Sequence, residues 1–414
     1  MNSDWQYKIY EKIKNKKINK IVLPGTHDSG AYKIMTSKTF ISDKLKRGQI
    51  KFNYFRLASK FIPTAYFIVK NWTVTQNKNI YDQLKLGIRS FDLRILWSNY
   101  QKKWLIGHSI AVTTYKEVID DFSNFLKSYK NEFIIIQIKR DYVNRHTVNG
   151  KVKDFWEYTR SQKDFFELIW FDKKIPTYEE LIKSGKRIIL IISSDLRTNI
   201  KKYNTDKLFV MNKEYVSYWP NTNNLQKSIN SQKKWLTNRV NKSKKFDNKF
   251  VDVLATFTPK TGNILKDAEC LTLLSIGIVS IVIIIILISL FIYGRPENEN
   301  LKKLYDGVSK NKRASIVFFI IVILVIITFF VRKCPNRILS IINSSIPLQD
   351  MFINMFNEDK KLLNKVSIIT FDVPKKETVD YVINLNKSNQ IDPKNYQLLY
   401  KNNHRILPNV LYEQ

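Results

Sequence analysis

The chain is poor in the residues that build disulfide frameworks and thiol sites. Its 414 residues include two cysteines and four histidines. The two cysteines, Cys270 and Cys334, are too few for the disulfide scaffold of a small secreted protein. Neither has catalytic residue types around it in the sequence, which argues against a cysteine nucleophile. Residues 1–20 lack an apolar core, so no signal peptide is visible there.

Acidic residues are scarce relative to basic ones. The chain has 36 Asp and Glu against 69 Lys and Arg, a formal net charge of +33. Nucleic-acid binding is one explanation, but the sequence has no zinc-finger spacing, RNP motif or basic heptad. We therefore predict that the chain has no nucleic-acid partner and that it binds an anionic membrane surface. Residues 12–20 are a candidate for the element that faces this membrane. Alternatively, part of the excess of basic residues reflects a coding bias towards Lys and Asn, and these residues form a solvated surface.

The most informative motif is V-L-P-G-T-H-D-S-G-A at residues 22–31. A short apolar strand runs into a Pro-Gly turn and then presents His27 and Asp28 side by side. Imidazole is the side chain best suited to proton transfer near neutral pH, and a neighbouring carboxylate can fix its tautomer or raise its pKa. A His-Asp pair after a strand is more often structural than catalytic, so this pair alone does not decide the function.

Two further strand-like runs carry residue types that complement this pair. In G-I-R-S-F-D-L-R-I-L, residues 87–96, Asp92 and Arg94 share one face because side chains alternate along a strand. The run K-K-W-L-I-G-H ends at His108. If the ends of these strands converge, they bring an acid, a base and a cation together.

These motifs resemble those of the catalytic X domain of phosphatidylinositol-specific phospholipase C, in particular its metal-independent bacterial members and its small X-domain-only subgroup. The resemblance covers most of residues 15–265 and keeps the motifs in the family's order, which is more specific than any single motif. It rests on L-P-G-T-H-D-S-G (23–30), G-I-R-S-F-D-L-R (87–94), G-H (107–108), I-I-I-Q-I-K-R-D (134–141), Y-W-P-N-T (218–222) and L-A-T-F-T-P (254–259).

The resemblance implies a reaction that uses two imidazoles. His27 matches the general base that takes the proton from the inositol 2-hydroxyl, whose oxygen then attacks the phosphorus to give a cyclic phosphate and diacylglycerol. His108 matches the general acid that protonates the departing diacylglycerol oxygen, and Asp28 would support that acid. Two proton-transfer groups on opposite sides of the phosphorus suit an in-line displacement.

The resemblance also bears on cofactors. In the calcium-dependent eukaryotic members, a carboxylate and an asparagine that help to hold Ca²⁺ occupy the positions that are Arg94 and Asp28 here. The Arg94 guanidinium supplies fixed positive charge to the phosphoryl oxygens without a metal. No cluster in the sequence supplies the six or more oxygens of a calcium site. We therefore predict catalysis without a metal or any other cofactor.

Further positions are assigned to the substrate. Lys139 matches a basic residue that lines the family's pocket, and we also assign Asp92 and Trp219 to substrate binding. Bacterial members place an inositol-contacting arginine on the strand where this chain reads R-I-I-L-I-I-S-S, and Ser193 falls near that position. The identity of the head group therefore stays open.

Strand-like and helix-like runs alternate through residues 20–260, which predicts an α/β fold with a parallel sheet or barrel. The resemblance implies a TIM-like barrel, complete or distorted. We assign residues 1–265 to its main part and 336–414 to a C-terminal part that completes it. In the second part, the run K-V-S-I-I-T-F-D-V matches a late barrel strand whose carboxylate, Asp372, orients the base.

Two apolar runs, 271–293 and 314–331, approach the roughly 20 residues that a membrane-spanning helix needs. We expect residues 266–335 to form a two-helix transmembrane hairpin that interrupts the barrel and returns the chain to its starting side. Basic residues flank both sides and do not fix the orientation. The two runs predict a multi-pass membrane protein, and the proposed substrate favours a cytoplasmic catalytic domain. Cys270 and Cys334 lie at the same-side ends of the spans, where they are unmodified, palmitoylated or paired.

The sequence thus predicts a membrane-anchored phosphodiesterase that cleaves phosphatidylinositol-type phospholipids by His/His acid–base catalysis. Two alternatives stay open: a catalytically silent membrane protein that binds lipid with the barrel, and a phosphodiesterase for another phospholipid head group. The presence of His27, Asp28, Arg94 and His108, with Asp372 as a candidate, favours an active enzyme. The sequence does not indicate an oligomeric state.

Overall fold

The chain divides into two compact units, and the residues that the computed structural model describes all belong to the first, which comprises residues 1–49, 73–258 and 341–414. The described residues are 2–33, 74–99, 101–108, 110–141, 148, 150–256, 258 and 341–387, without the side chains of residues 108, 110, 111 and 341–344.

The described part of the chain folds around one sheet of ten strands. The central strands are rich in Ile, Leu, Val and Phe because helices cover their outer faces and other strands close the inner one. The strands are β1 (Leu23–Thr26), β2 (Ser90–Ser98), β3 (Lys103–His108), β4 (Ile110–Thr114), β5 (Ile134–Arg140), β6 (Ile188–Ile192), β7 (Phe209–Val210), β8 (Tyr215–Tyr218), β9 (Phe250–Ala255) and β10 (Ile368–Phe371).

This sheet curls into a nearly closed barrel. The strand order is β7-β6-β5-β2-β1-β10-β9-β8, and all neighbours along it are parallel. A parallel bridge between Met211 and Tyr215 joins the two ends of this order. β2 is longer than β1, and its last residues, Ile95–Ser98, pair with the antiparallel strand β3. β3 in turn forms a hairpin with β4. The prediction of an α/β, TIM-like barrel is confirmed, in a form that is not fully closed.

Helices pack around the barrel, and polar caps set the start of several of them. Thr114 and Thr177 each open a helix with a capping box, in which Glu117 and Glu180 return the hydrogen bond to the cap. The helices are α1 (Trp5–Lys8), α2 (Tyr10–Ile13), α3 (Ile80–Leu86), α4 (Tyr115–Ser128), α5 (Val152–Ser161), α6 (Lys163–Phe166), α7 (Tyr178–Lys183), α8 (Leu225–Trp235, continued by the π-helical turn Leu236–Val240), α9 (Ile341–Glu358) and α10 (Lys376–Asn384). Short 3-10 turns lie at Ile18–Lys20, Ser194–Leu196, Lys201–Tyr203, Thr205–Lys207, Lys244–Phe246 and Lys360–Leu363.

β10 comes from the C-terminal part of the chain and lies between β1 and β9. Thr26 at the end of β1 is opposite Phe371 at the end of β10. Because parallel strands end at the same edge of a sheet, this register places the residues after Thr26 and after Phe371 side by side. The domain boundaries at residues 265 and 336 stay a prediction, since they lie outside the described residues.

Among the described helices, none is long and apolar enough to cross a membrane. The longest of them, α9, has 18 residues and carries the charged Asp350 near its middle. This finding contradicts the predicted transmembrane hairpin and the multi-pass membrane location, and both predictions are withdrawn. The apolar runs 271–293 and 314–331, with Cys270 and Cys334 at their ends, lie outside the described residues.

Candidate active site

The end of β1 brings His27 and Asp28 to the C-terminal edge of the barrel. The N–H of His27 donates to the carbonyl of Phe371 (3.0 Å), which continues the pairing of β1 with β10 by one residue. At Asp28 the backbone adopts a φ of 42°, a left-handed conformation that Asp tolerates better than most residues. The carboxylate of Asp28 then lies 3.5 Å from Nε2 of His27.

Asp372 holds the His27 imidazole from the other side. It follows β10 directly, and its Oδ1 lies 2.9 Å from Nδ1 of His27. The carboxylate is fully buried, whereas the imidazole keeps 20% of its surface exposed. Burial opposes a charge on His27, but the carboxylates of Asp28 and Asp372 outweigh it and raise the imidazole pKa from 6.5 to about 9. With its proton on Nδ1 bound to Asp372, the imidazole exchanges protons through Nε2.

Arg94 brings a fixed positive charge to the same place. Its Nε lies 2.7 Å from Oδ1 of Asp28, and its Nη2 lies 3.2 Å from Nε2 of His27. A neutral imidazole with its proton on Nδ1 accepts a hydrogen bond at Nε2 from this guanidinium. Burial opposes the charge on Arg94, but Asp28 and Asp92 prevail and raise its pKa above the ordinary value. The positive charge is therefore permanent, and it lies beside the proton-accepting atom.

A second ion pair lies next to this group. Nζ of Lys139 is 3.0 Å from Oδ1 of Asp92. The register of β2 with β5 places Arg94 opposite Lys139, so the two cations are at the same level of the barrel. Burial opposes ionisation of Asp92, but Lys139 and Arg94 hold its pKa below the usual range. The barrel mouth therefore combines ionised carboxylates with two cations and one imidazole.

Two buried glutamine side chains hydrogen-bond to the backbone of the loop that follows β1, residues 27–29. Nε2 of Gln76 donates to the carbonyl of His27 (2.8 Å), and Nε2 of Gln83 donates to the carbonyl of Ser29 (2.8 Å). The hydroxyl of Ser29 in turn accepts the N–H of Asp92 (2.8 Å), which ties the loop to β2. We did not predict these residues, because a single glutamine in a sequence has no pattern that reveals which backbone it supports.

A second polar layer lies inside the barrel, below the cluster. The buried carboxylate of Asp252 accepts hydrogen bonds from the hydroxyls of Tyr215 (2.6 Å) and Thr370 (2.8 Å) and from Nε2 of Gln137 (3.3 Å). Burial raises the pKa of Asp252 to about 6. Thr370 lies in β10, two residues before Asp372. The sequence signal for this layer is a lone carboxylate in the apolar run F-V-D-V-L-A.

Comparisons with known proteins point to one family, although no family model matches the chain. A PI-PLC X domain-containing protein of Dictyostelium discoideum is 35% identical over 127 residues, which cover 30% of this chain and 20% of the relative. PI-PLC X domain-containing protein 1 of Homo sapiens is 24% identical over 195 residues, 46% of this chain and 56% of the relative. The chain is therefore similar to proteins of the PI-PLC X-domain family. The resemblance that the motifs indicated is thereby confirmed.

The similarity to X-domain proteins covers only part of the length of these relatives, and the structural similarity is weak. The matched part of this chain spans between a fifth and just over half of the two curated relatives. Among solved structures, the phosphatidylinositol-specific phospholipase C from Listeria monocytogenes aligns over 94% of this chain and 99% of its own, with 16% identity and a TM-score of 0.46. A TM-score of this size supports no conclusion about the site.

Two residues assigned from the X-domain motifs lie outside the described contacts of the cluster. His108 is the last residue of β3. Because β3 runs antiparallel to β2, the His108 backbone lies near the part of β2 that holds Arg94. The side chain of His108 is not among the described residues. Trp219 follows β8, is 53% exposed, and donates its indole N–H to Oγ1 of Thr258 (2.9 Å). The roles of His108 and Trp219 stay predictions.

The calcium-dependent members of the X-domain family raise the question of a metal in this cluster. One donor atom each from His27, Asp28 and Asp92 lies within 4.8 Å of the others, close enough for one ion. However, Asp28 is paired with Arg94 and Asp92 with Lys139. Calcium takes six to eight oxygen ligands, whereas this set offers two carboxylates that already face fixed cations. The arrangement does not fit a calcium site.

Proposed function

We propose that this chain cleaves phosphatidylinositol-type phospholipids to diacylglycerol and a cyclic inositol phosphate. Its similarity to proteins of the X-domain family supports a phospholipase C-like function. The observation that carries the finer proposal is the position of the His27 imidazole, 2.9 Å from Asp372 and 3.2 Å from Arg94. A base, the carboxylate that orients it and a cation suited to phosphate thus meet at one point.

In the proposed reaction, Nε2 of His27 takes the proton of the inositol 2-hydroxyl. Nδ1–H stays hydrogen-bonded to Asp372, which stabilises the imidazolium as it forms. The deprotonated oxygen attacks the phosphorus and closes the cyclic phosphate, while the bond from phosphorus to the glycerol oxygen breaks. The leaving diacylglycerol oxygen takes a proton from a general acid, for which His108 is our candidate.

The cations act on the phosphoryl oxygens in this proposal. Negative charge on these oxygens has to be stabilised in the transition state of the displacement. The Arg94 guanidinium already lies beside Nε2 of His27, and Asp28 holds it in place, so no reorganisation is needed when the substrate reacts. Lys139 lies at the same level on the next strand. We therefore propose that catalysis needs no metal ion.

The charge of the chain supports an anionic lipid surface as the place of encounter. A net charge of +33 attracts the protein to acidic lipids, and each basic residue near the surface adds about 1 kcal/mol. Salt screens this attraction, with a Debye length of about 8 Å at physiological ionic strength. We propose no nucleic-acid partner.

The function can be tested by incubating the purified chain, in excess EDTA, with vesicles of phosphatidylinositol or of phosphatidylcholine and identifying the products. We expect diacylglycerol and cyclic inositol phosphate from phosphatidylinositol alone. Because His27→Ala removes the base and Arg94→Met removes the cation, each is expected to lower kcat by roughly 10²- to 10⁴-fold. Asp164→Asn, which affects only an exposed ion pair with Lys127, serves as the matched control and should keep full activity.

Each alternative has its own outcome in this experiment. Turnover that appears only after calcium is added contradicts catalysis without a metal. Vesicle binding by the wild-type chain without any turnover favours a silent lipid-binding protein. Cleavage of phosphatidylcholine in place of phosphatidylinositol keeps the phosphodiester chemistry and assigns another head group.

A further inference from the structure

A buried glutamine on α9 uses its whole hydrogen-bonding capacity next to the site. Nε2 of Gln349 donates to the carbonyls of Asp372 (2.9 Å) and Val373 (3.1 Å). Its Oε1 accepts the N–H of Lys375 (3.2 Å) and the hydroxyl of Thr378 (3.0 Å). Gln349 is fully buried, and it joins α9 to both ends of the turn between β10 and α10.

The residue that Gln349 holds is in an unfavourable conformation. Val373 has a φ of 41°, in the left-handed region that β-branched residues rarely occupy because Cβ crowds the backbone. Its N–H donates to the carbonyl of Thr75 (3.0 Å), so hydrogen bonds hold the residue on both sides. A backbone in such a conformation persists only when its surroundings impose it, and such residues cluster at functional sites.

The strained residue directly follows the carboxylate that orients the base. Asp372 and Val373 share one peptide unit, so a change in φ at Val373 rotates that unit and with it the backbone that carries the Asp372 side chain. The φ rotation takes place about the N–Cα bond of Val373. Gln349 binds the carbonyl oxygens on the two sides of this bond, those of Asp372 and Val373. The same turn therefore determines whether Oδ1 of Asp372 stays 2.9 Å from Nδ1 of His27.

We propose that Gln349 is a positioning residue, which holds the Asp372–Val373 turn in its left-handed conformation and thereby keeps the Asp372 carboxylate against His27. This inference rests on the proposed function, in which His27 is the base. A purely structural glutamine would instead attach α9 to the barrel, and its loss would lower stability without changing the imidazole.

The test uses four variants and two readouts. Gln349→Met keeps the length of the side chain and removes its hydrogen bonds, Val373→Gly removes the conformational strain, and a double variant combines them. Thr378→Val, the matched control, removes one partner of Gln349 but leaves the bonds to Asp372 and Val373. The readouts are the pKa of His27, followed by NMR of the imidazole, and kcat with KM on phosphatidylinositol vesicles.

We expect Gln349→Met to lower the His27 pKa by about one unit or more, a change of about tenfold in proton affinity. After correction for the larger share of neutral His27 that the lower pKa brings, kcat should also fall by about tenfold or more with little change in KM, because the base is misaligned rather than the substrate lost. Thr378→Val should match the wild type in the His27 pKa and in kcat, and Val373→Gly alone is the reference for the double variant. Because glycine adopts the left-handed turn without help, the double variant should regain most of the loss.

Two results would overturn the inference. One is a Gln349→Met protein with lower stability but an unchanged His27 titration and unchanged kcat. The other is a double variant as impaired as Gln349→Met. If Gln349→Met does not fold, Gln349→Glu replaces it, since a carboxylate keeps the acceptors but cannot donate to both carbonyls. The NMR titration needs no turnover, so it tests the positioning role even if phosphatidylinositol proves not to be the substrate.

Discussion

At the scale of single residues, His27 has neighbours that favour opposite charge states. Asp28 and Asp372 stabilise the imidazolium, whereas Arg94 favours the neutral ring. Burial also disfavours the charge, yet the carboxylates prevail and the pKa rises to about 9. The neutral ring is the form that can accept a proton, so the share of His27 ready to act as a base grows as the pH rises towards this pKa.

Replacing Asp372 tests this balance directly. Asp372→Asn removes one of the two carboxylates that raise the His27 pKa, and we expect that pKa to fall by about one unit or more. The acidic limb of kcat/KM against pH reports the base in the free enzyme, so its midpoint should move to lower pH by the same amount. We also expect kcat, corrected for the share of neutral His27, to fall by about 10²-fold or more, because the ring loses its orientation. Asp164→Asn is the control, and an acidic limb that does not move would show that Asp372 does not set this pKa.

The same residue links folding to pH with a definite sign. His27 binds its proton more tightly in the folded chain, because its pKa there is about 9 against 6.5 for the unperturbed group. The resulting contribution to the free energy of unfolding is therefore complete below about pH 6.5 and is lost as the pH rises through about 9.

At the scale of elements, β1 is the strand that sets the position of His27. It lies between β2 and β10, and its third residue, Gly25, leaves no room for a side chain. A Cβ at Gly25 would lie 2.9 Å from Oγ1 of Thr370 and 3.2 Å from Cβ of Ser90. These atoms belong to side chains of the flanking strands, so a methyl group at position 25 requires β1 or its neighbours to shift.

We therefore expect Gly25→Ala to lower the free energy of unfolding by about 1–3 kcal/mol through overpacking. It should also lower kcat, because His27 is displaced from Asp372 and Arg94. Urea denaturation and turnover of phosphatidylinositol measure the two effects. Lys103→Ala, at an exposed position of β3, is the control. A Gly25→Ala protein as stable and as active as the wild type would contradict the close packing of β1.

The elements differ in how far the sequence predicted them. Apolar alternation indicated β2, and the apolar run before Asp372 indicated β10, because residues of both strands are buried in the barrel. The pairing of β1 with β10 was inferred only through the family resemblance, since His27 and Asp372 are 345 positions apart. The left-handed turn at Val373 was not predictable from sequence, because valine disfavours that conformation and its hydrogen-bond partners, Gln349 and Thr75, are distant in sequence.

At the scale of the whole molecule, the N-terminal segment is tied to the barrel by a buried ion pair. Arg89, next to β2, donates to Glu132 from Nε (2.8 Å) and Nη2 (2.6 Å), and both side chains are almost completely buried. Nη2 of Arg89 also donates to the carbonyl of Ser3 (2.7 Å), and the N–H of Tyr7 donates to Glu132 (3.0 Å). The pair therefore joins the first helix to the strands that carry the site.

Breaking this pair should destabilise the chain without touching the chemistry. Because Glu132→Gln leaves Arg89 as a buried cation without its counter-charge, we expect a loss of about 3–5 kcal/mol in the free energy of unfolding. The double variant Arg89→Met/Glu132→Leu should lose less, since it buries no unpaired charge. Urea denaturation measures both, and the folded Glu132→Gln protein should keep its kcat. A double variant less stable than Glu132→Gln would contradict this account.

Properties of the whole molecule differ in how well the sequence predicts them. The barrel follows from many local patterns that agree, so its prediction did not depend on one segment. The transmembrane hairpin rested on hydropathy alone, and the described helices do not support it. The charge of +33 predicts an anionic partner, and the assignment of residues 12–20 to the surface that meets it stays a prediction.

The most direct test of the central claim is phosphorus-31 NMR of phosphatidylinositol vesicles incubated with the wild-type chain in excess EDTA. If His27, Asp372 and Arg94 form a metal-independent site, the phospholipid signal declines while the signal of a cyclic inositol phosphate grows, and His27→Ala shows neither change. A wild-type sample that stays unchanged until calcium is added, or a His27→Ala sample that matches the wild type, would contradict it.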